Sequence, residues 1–381
     1  MKRIGKLLTG VLAASTVMSS LVIPGNTVHA AAGEIEINST NFPDAIFRSY
    51  VTQFDENKSG GFDTWEIEAV TTINVNNKGI SSLKGIENFT SLLYLHCEGN
   101  KLTELDVSSI PTLWDIRCTN NSIKKLNTSK NTVLAFVRCE NRQLTELDFS
   151  GNPNLQEVYC MHNQLTELDL SNQIDLGKVY CGNNKITSIN LAGSPNITAL
   201  ALNNNELKSI DISENGGLRT LNLSYNHLTE LDILANKNIT DLFCNDNELT
   251  ELDTTGVISL KRINCSNNSI EEFDLSTNGS LTELDCSFNV VTQIDLSPCA
   301  NLTTFDCSYD HISTLDISKN PKLTTLRCAG NGISKLSFAS NASVERLDCS
   351  KNKLTTLDIT KLSRLTYLDC SNNQLTDLNL N

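Results

Sequence analysis

The 381-residue chain carries a formal net charge of −14, with hydrophobic residues at 39% and thirteen cysteines. Such an acid excess argues against nucleic acid or anionic lipid as a partner and leaves basic proteins, cations and neutral glycans. Beyond the first thirty residues no apolar run is long enough to span a bilayer, so no membrane span is expected in the mature chain.

Residues 1–30 read as a secretory signal peptide. Lys2, Arg3 and Lys6 form a basic start, an apolar run extends from Leu7 to Ile23, and Val28-His29-Ala30 offers a small-residue cleavage site. Thr9, Gly10, Ser15, Thr16, Ser19 and Ser20 dilute the run too much for a membrane anchor. Cleavage removes three basic residues and no acidic one, taking the net charge from −14 to −17.

Residues 31–70 differ in composition from the rest of the mature chain and are expected to form a helical cap. Phe42, Ile46, Phe47, Tyr50, Val51 and Phe54 fall at helical spacing, with Pro43 in the first turn and Asp44 at its positive end. The next twelve residues, from Asp55 to Glu66, fit the calcium loop of an EF-hand. Asp55, Asn57, Ser59, Asp63 and Glu66 supply side-chain oxygens at positions one, three, five, nine and twelve, and Gly61 a carbonyl at seven. Gly60 permits the sharp turn at six, and Phe62 anchors the loop to the core. Ser59 stands where Asp or Asn is commoner, and one unpaired loop implies modest calcium affinity, so calcium is an expected ligand at millimolar concentration. A second short helix passes through Ile67 and Val70.

From residue 71 to 381 the chain repeats itself. After an imperfect first turn built on Val70, Ile73, Val75, Ile80 and Leu83, the unit LxxLxCxxNxLTxLDLSxN can be laid down fourteen times, always with a step of 21 residues. Rung 1 is the unit with Cys97 at its sixth residue, and the last rung is the unit with Cys370 there. A fixed period of this length means a solenoid in which each repeat stacks on its neighbours. In LxxLxC the fourth and sixth residues share a face, as in a strand, so stacked copies make a parallel sheet with rungs about 4.8 Å apart. Asn at position nine, as in Asn100, Asn121 and Asn163, is expected to turn the chain and bond the backbone of the next rung; Arg142 and Asp310 break this column. The LTxLDLSxN half returns along the outer side. The helical cap covers the apolar end that the first rung would expose.

Twelve of the thirteen cysteines occupy position six, and that position takes Leu202 and Leu223 in two rungs. A site that exchanges Cys for Leu is a small apolar core site. Parallel Cβ atoms about 4.8 Å apart do not suit a disulfide, so a reduced, buried thiol ladder is expected. Cys299 lies elsewhere, in place of the Asn of the outer turn, and is expected to be exposed and reactive.

An EF-hand-like cap, the segment ISSLKGIENFTSL and the LxxLxCxxNxLTxLDLSxN repeats together resemble the internalin family of bacterial leucine-rich-repeat surface proteins. The Cys at position six resembles its cysteine-ladder branch, and the similarity covers essentially all of the mature chain. The resemblance implies an α/β leucine-rich-repeat solenoid with a parallel β-sheet on its concave face. It also implies export from a Gram-positive-type cell and binding to protein or glycan on host or neighbouring cells. An LPxTG wall-sorting signal and an immunoglobulin-like domain, frequent in that family, are not seen before Asn381. The expectation is therefore a secreted, monomeric protein, or one whose C-terminal part lies beyond this sequence.

Positions three, five and seven face the concave surface, with two and eight at its edges. The first five rungs place Tyr94, His96, Trp114, Arg117, Phe136, Arg138, Tyr159, Met161 and Tyr180 there, a set typical of interface hot spots and of sugar-stacking platforms. Asp115, Glu157 and Lys178 lie among them. The middle rungs are small and polar, and the last carry Asp285, Asp306, Asp348 and Asp369, a solvated repeat feature interrupted by Arg327. The Ser and Asp of LDLS recur in nearly every repeat and belong to the turn, and His96 and His162 are too far apart to share a metal. The expected function is a non-enzymatic, adhesin-like binder of a protein ligand; the alternatives are a carbohydrate module, for mucin or wall glycan, and a non-binding surface spacer.

Overall fold

Three residues of each repeat are extended, and stacking them makes the sheet. The computed structural model describes residues 35–140, 143–338 and 343–378. The expected signal peptide and Arg142 lie outside the described residues. Fifteen strands form one sheet in chain order from Thr72–Asn74 to Tyr367–Asp369, and every neighbouring pair is parallel. The first register step is 22 residues, Thr72 to Tyr94; the next, Tyr94 to Asp115, is 21, and that step recurs to Arg346 and Tyr367. The return side is less regular, with three two-stranded parallel pairs such as Glu104–Asp106 with Lys125–Asn127. Among the described residues no helix is long and apolar enough to cross a membrane.

The core is one column per apolar repeat position. In rung 1 and the turn after it, Leu92, Leu95, Cys97, Leu102, Leu105, Val107 and Ile110 are all buried, and the pattern repeats down the solenoid. Asn at position nine closes each strand. In every described rung that carries it, Nδ2 donates to the carbonyl of position six in its own rung and to one in the rung before; Asn226, for instance, bonds Leu223 O and Leu202 O at 3.0 Å each. Its Oδ1 accepts from Leu207 N at 3.1 Å. The ladder thus reaches back to the preceding rung, not forward as expected. Position eight is left-handed throughout the described rungs, with φ near +55° at Asn120, Asn267 and Asn372 and +66° and +69° at Gly99 and Gly330. Asn and Gly tolerate that backbone best, which accounts for their frequency there.

A second ladder runs through the outer turn: Asn152 Nδ2 donates to Thr128 O and Asn131 O at 2.9 Å each, and Asn236, Asn278 and Asn320 repeat the arrangement. Cys299 takes one of its places, and because that column is interior the thiol is fully buried. This corrects the expectation of an exposed, reactive Cys299. Its sulfur lies 3.7 Å from Asn278 O, and burial pushes its pKa up to about 11. A second correction concerns the thiol ladder, since Cys160 and Cys181 of rungs 4 and 5 are joined by a disulfide. Their Cα atoms are 4.9 Å apart, inside the range a disulfide accepts, so stacking alone does not forbid the bond. The other cysteines of the column are thiols, buried except for half-buried Cys370. Burial pushes the Cys97, Cys139, Cys265, Cys286, Cys307 and Cys328 thiols well up, and Cys244 to about 12.

The cap packs on this end-on core. Helix α1 spans Ala45–Val51, capped by Asp44, whose Oδ1 accepts from Ile46 N and Phe47 N; Pro43 therefore precedes the helix, not occupying its first turn. Helix α2 spans Thr64–Ala69 with a capping box between Asp63 and Glu66. Ile35–Glu36 pairs antiparallel with Gly61–Phe62 across the intervening loop. Phe42, Phe47, Phe62 and Phe89 are buried and meet edge-on or tilted, with Phe62 and Phe89 5.4 Å apart, over Ile73, Val75 and Ile80 of the first turn. Such aromatic pairs add to the burial of apolar surface.

Candidate binding face

Alternation within each three-residue strand buries the middle residue and turns the outer two toward the concave side. Tyr94, His96, Phe136, Arg138 and Tyr159 are accordingly half-buried, on either side of buried Leu95, Val137 and Val158. Because rungs repeat in register, side chains 20 to 22 residues apart become neighbours. Tyr94, Trp114 and Phe136 form one group, edge-to-face at 5.6 and 4.6 Å between ring centroids. Arg138, Tyr159 and Tyr180 form a second. The Arg138 guanidinium lies 4.6 Å from the Tyr159 ring centroid, and the Tyr159 and Tyr180 rings stack at 4.9 Å and 11°. Met161 is half-buried at the turn beyond Tyr159, and His162 next to it is exposed with φ of 55°.

Polar contacts fix these groups. Asp115, 4% exposed, accepts from Arg117 Nη2 at 2.8 Å and from its Nε at 3.2 Å. His96 Nε2 lies 3.9 Å from Asp115 Oδ2, but burial and the Arg117 charge hold His96 below its ordinary pKa, so it is neutral at pH 7. Glu157 accepts from the Tyr159 hydroxyl at 3.1 Å and from Lys178 Nζ at 2.9 Å. Burial and that bond raise the Tyr159 pKa. Position-by-position reading of the sequence puts Asp115, Glu157 and Lys178 on this face without revealing that they hold Arg117 and Tyr159 in place. The signal was available as opposite charges two residues apart in one strand, or 21 apart across rungs.

One row of aromatics escaped the sequence reading. Tyr225, Phe288 and Tyr309 occupy the left-handed position eight, at φ of 57°, 56° and 61°, and are 57%, 53% and 41% exposed. Phe288 and Tyr309 stack at 4.7 Å and 15°, and Lys351 Nζ donates to the Tyr309 hydroxyl at 2.9 Å. An aromatic residue in a column of Asn and Gly is the clue. The Asp column of the last rungs serves its turns, with Asp285, Asp306, Asp348 and Asp369 each accepting from the N–H of the Ser two residues on.

The expected calcium ligands lie in one loop but spend their oxygens on each other and on backbone N–H groups. Asp55 accepts from Ser59 N and Gly60 N, Asn57 donates to Asp63, and the Ser59 hydroxyl donates to Gly61 O. Glu66, 2% exposed, accepts from Glu56 N, Asn57 N and Asp63 N at 2.8, 3.2 and 2.9 Å. An all-oxygen set fits a hard cation in chemistry. Among the described residues, however, no group of three or more acidic, His or Cys side chains is gathered closely enough to hold a metal ion.

Family models for leucine-rich repeats match residues 217–237, as a single repeat, and 342–381, as two copies. No curated protein sequence matches the chain. Among solved structures, the functional domain of InlJ from Listeria monocytogenes, which includes a cysteine ladder, is 31% identical, with a TM-score of 0.72 over 92% of this chain and 74% of that one. The internalin InlF from the same species is 20% identical, with a TM-score of 0.60 over 90% and 93%. YopM from Yersinia enterocolitica is 22% identical, with a TM-score of 0.61 over 87% and 75%; these two likenesses show the fold alone. The cysteine column of this chain and its 31% identity to the cysteine-ladder domain of InlJ over 92% of its length place it in the internalin family of leucine-rich-repeat proteins, in its cysteine-ladder branch.

Proposed function

We propose that the protein is a secreted binding scaffold, adhesin-like and without catalytic function, that recognises a protein ligand through the concave face of rungs 1 to 5. The observation that carries this reading is the contiguous set Tyr94, Trp114, Phe136, Arg138, Tyr159 and Tyr180 on a solvated sheet, held by the Asp115–Arg117 and Glu157–Lys178 pairs. Preordered aromatic and Arg side chains lose little freedom on binding, and such residues dominate interface energetics. A protein suits the face better than a sugar. Tyr159 has Arg138 on one side and Tyr180 on the other, so its ring faces are already used. A pyranose stacks on an open ring face, and Tyr180, with Ala201 as its neighbour in the next rung, is the one member of that stack to offer it.

Simultaneous Trp114→Ala, Phe136→Ala and Tyr159→Ala substitution is expected to abolish saturable binding to target cells while leaving the fold intact. Protease treatment of those cells should also abolish it. Unchanged binding by a folded triple variant moves the site elsewhere; binding that survives protease points to glycan; and no saturable binding by the native protein leaves the spacer. Calcium in the cap loop belongs to the same reading as a proposal. The residues that would hold it are Asp55, Asn57, Ser59, Gly61, Asp63 and Glu66, and loading requires Glu66 to release backbone N–H groups. Isothermal titration of the full chain with calcium checks it, and absence of heat removes it.

A further inference from the structure

The position-nine ladder has one odd member. In each of the other described rungs an Asn amide donates to two position-six carbonyls, as Asn289 does to Cys286 O and Cys265 O and Asn331 to Cys328 O and Cys307 O. Asp310 of rung 11 holds the same place and is 3% exposed. Its Oδ1 accepts from Asn289 N at 2.9 Å, and the Val291 N–H in the preceding rung, 19 residues back like the usual donor to an Asn Oδ1, also bonds the carboxyl. Its Oδ2, the atom that replaces the amide nitrogen of Asn, is buried and has no hydrogen-bond partner. The ladder pattern directs that atom at Cys307 O and Cys286 O, which are acceptors.

A carboxylate has no proton to give them; a neutral carboxyl has one and supplies one of the two bonds that the amide would make. We infer that Asp310 is a proton-operated joint between rungs 10 and 11, which closes one ladder bond when neutral and loses it when ionised. The groups that face it reinforce this. Asp306 and Asp285 flank it on the concave strands, and the Cys265, Cys286 and Cys307 thiols face it from position six. All five are acids, and Arg327, on the neighbouring strand Thr325–Arg327, is directed to Asp306 at 3.8 Å. Burial is the main cause that pushes Asp310 up to about 7, with Asp306 and Asp285 adding to it against the two N–H bonds. The Phe288–Tyr309 stack spans the same two rungs from the residues just before Asn289 and Asp310. Those aromatics, held at left-handed φ, brace the stack at the place where the ladder lacks its amide.

Linkage sets the sign. The folded-state pKa is raised above the ordinary 3.8, so the folded chain holds the proton more tightly than the unfolded chain. The joint's stability is complete below the unfolded value, is lost as pH rises toward 7, and stays lost above it. Hydrogen exchange of the full chain, corrected for intrinsic rates, tests this at the Asn289 and Val291 amides between pH 5.5 and 8. Protection is expected to fall about tenfold per pH unit up to 7 and then level off. In Asp310→Asn that dependence should vanish and the melting temperature at pH 8 should rise, whereas Asp306→Asn should retain the dependence. A pH-independent wild type, or an equal dependence in Asp310→Asn, overturns the inference.

Discussion

The inside of the strand-end turn and the concave face are built from the same rungs and obey opposite rules. Wherever position nine is described it is Asn, except at Asp310, and that Asn makes the same bonds in each rung. Positions three and five, six and four residues earlier in each rung, hold Tyr, Asp, Phe, Glu, Lys, Ala, Thr, Arg, His and Asn among them. The interior residue must match two neighbours that are copies of itself, so a change in one rung disturbs the rungs on both sides. The concave residue meets water, and its changes are limited by little else. Repetition therefore marks structure in this molecule, and departure from repetition marks function or weakness.

The first way to test the comparison is inside. Asn226→Ala removes bonds to Leu223 O, Leu202 O and Leu207 N; the two carbonyls each keep one amide donor, from Asn247 and Asn205, while Leu207 N loses its acceptor. The expected loss is about 3 kcal/mol, from three modest bonds plus the cost of one unsatisfied N–H, read from the urea midpoint of the full chain. A loss below about 1 kcal/mol would mean that water replaces the amide and the ladder is not the constraint.

The second breaks the comparison on purpose. Arg117 faces solvent, yet it neutralises Asp115, which is almost wholly buried. Arg117→Ala should cost about 2 kcal/mol, more than an ordinary surface change, because it strands a buried carboxylate. In Asp115→Asn/Arg117→Ala much of that loss should be regained, and equal stability of single and double variants would show that the pair contributes nothing at this position.

What was legible in the sequence divides along the same line. The solenoid, its period, the apolar nature of the Cys column, the irregular first turn and the anchoring role of Phe62 could be read because each is stated many times or sits against an obvious core. The backward direction of the Asn bonds could not, because a column of identical residues is symmetric until the backbone path is known. Cys299 was misplaced because the outer Asn column looks like a surface turn in sequence and is a second interior ladder in three dimensions. The Cys160–Cys181 bond was missed because the 4.9 Å Cα separation of stacked rungs already lies inside the range a disulfide accepts, so spacing alone does not say which thiols pair. On the concave face the residue types were legible and their partnerships were not, since Trp114 with Phe136, or Lys178 with Glu157, meet only after stacking.

The smallest expected effect concerns what the Cys column is for. Cys244 is fully buried, is succeeded by cysteines in the next rungs, and is preceded in its column by Leu223 and Leu202. Burial pushes its thiol up to about 12, so it is neutral and behaves as a small apolar group. If the column requires only an apolar filler, Cys244→Leu next to Leu223 should cost no more than about 1.5 kcal/mol, the extra volume being the source of the loss. Cys244→Ser, nearly isosteric, should cost more, because a hydroxyl there must find a partner among carbonyls already bonded by Asn247 and Asn268. The reverse order in urea midpoints would show that the column is limited by volume rather than polarity. The leucines of rungs 6 and 7 would then be a local adjustment of spacing, and the thiols themselves would set the pitch of the remaining rungs.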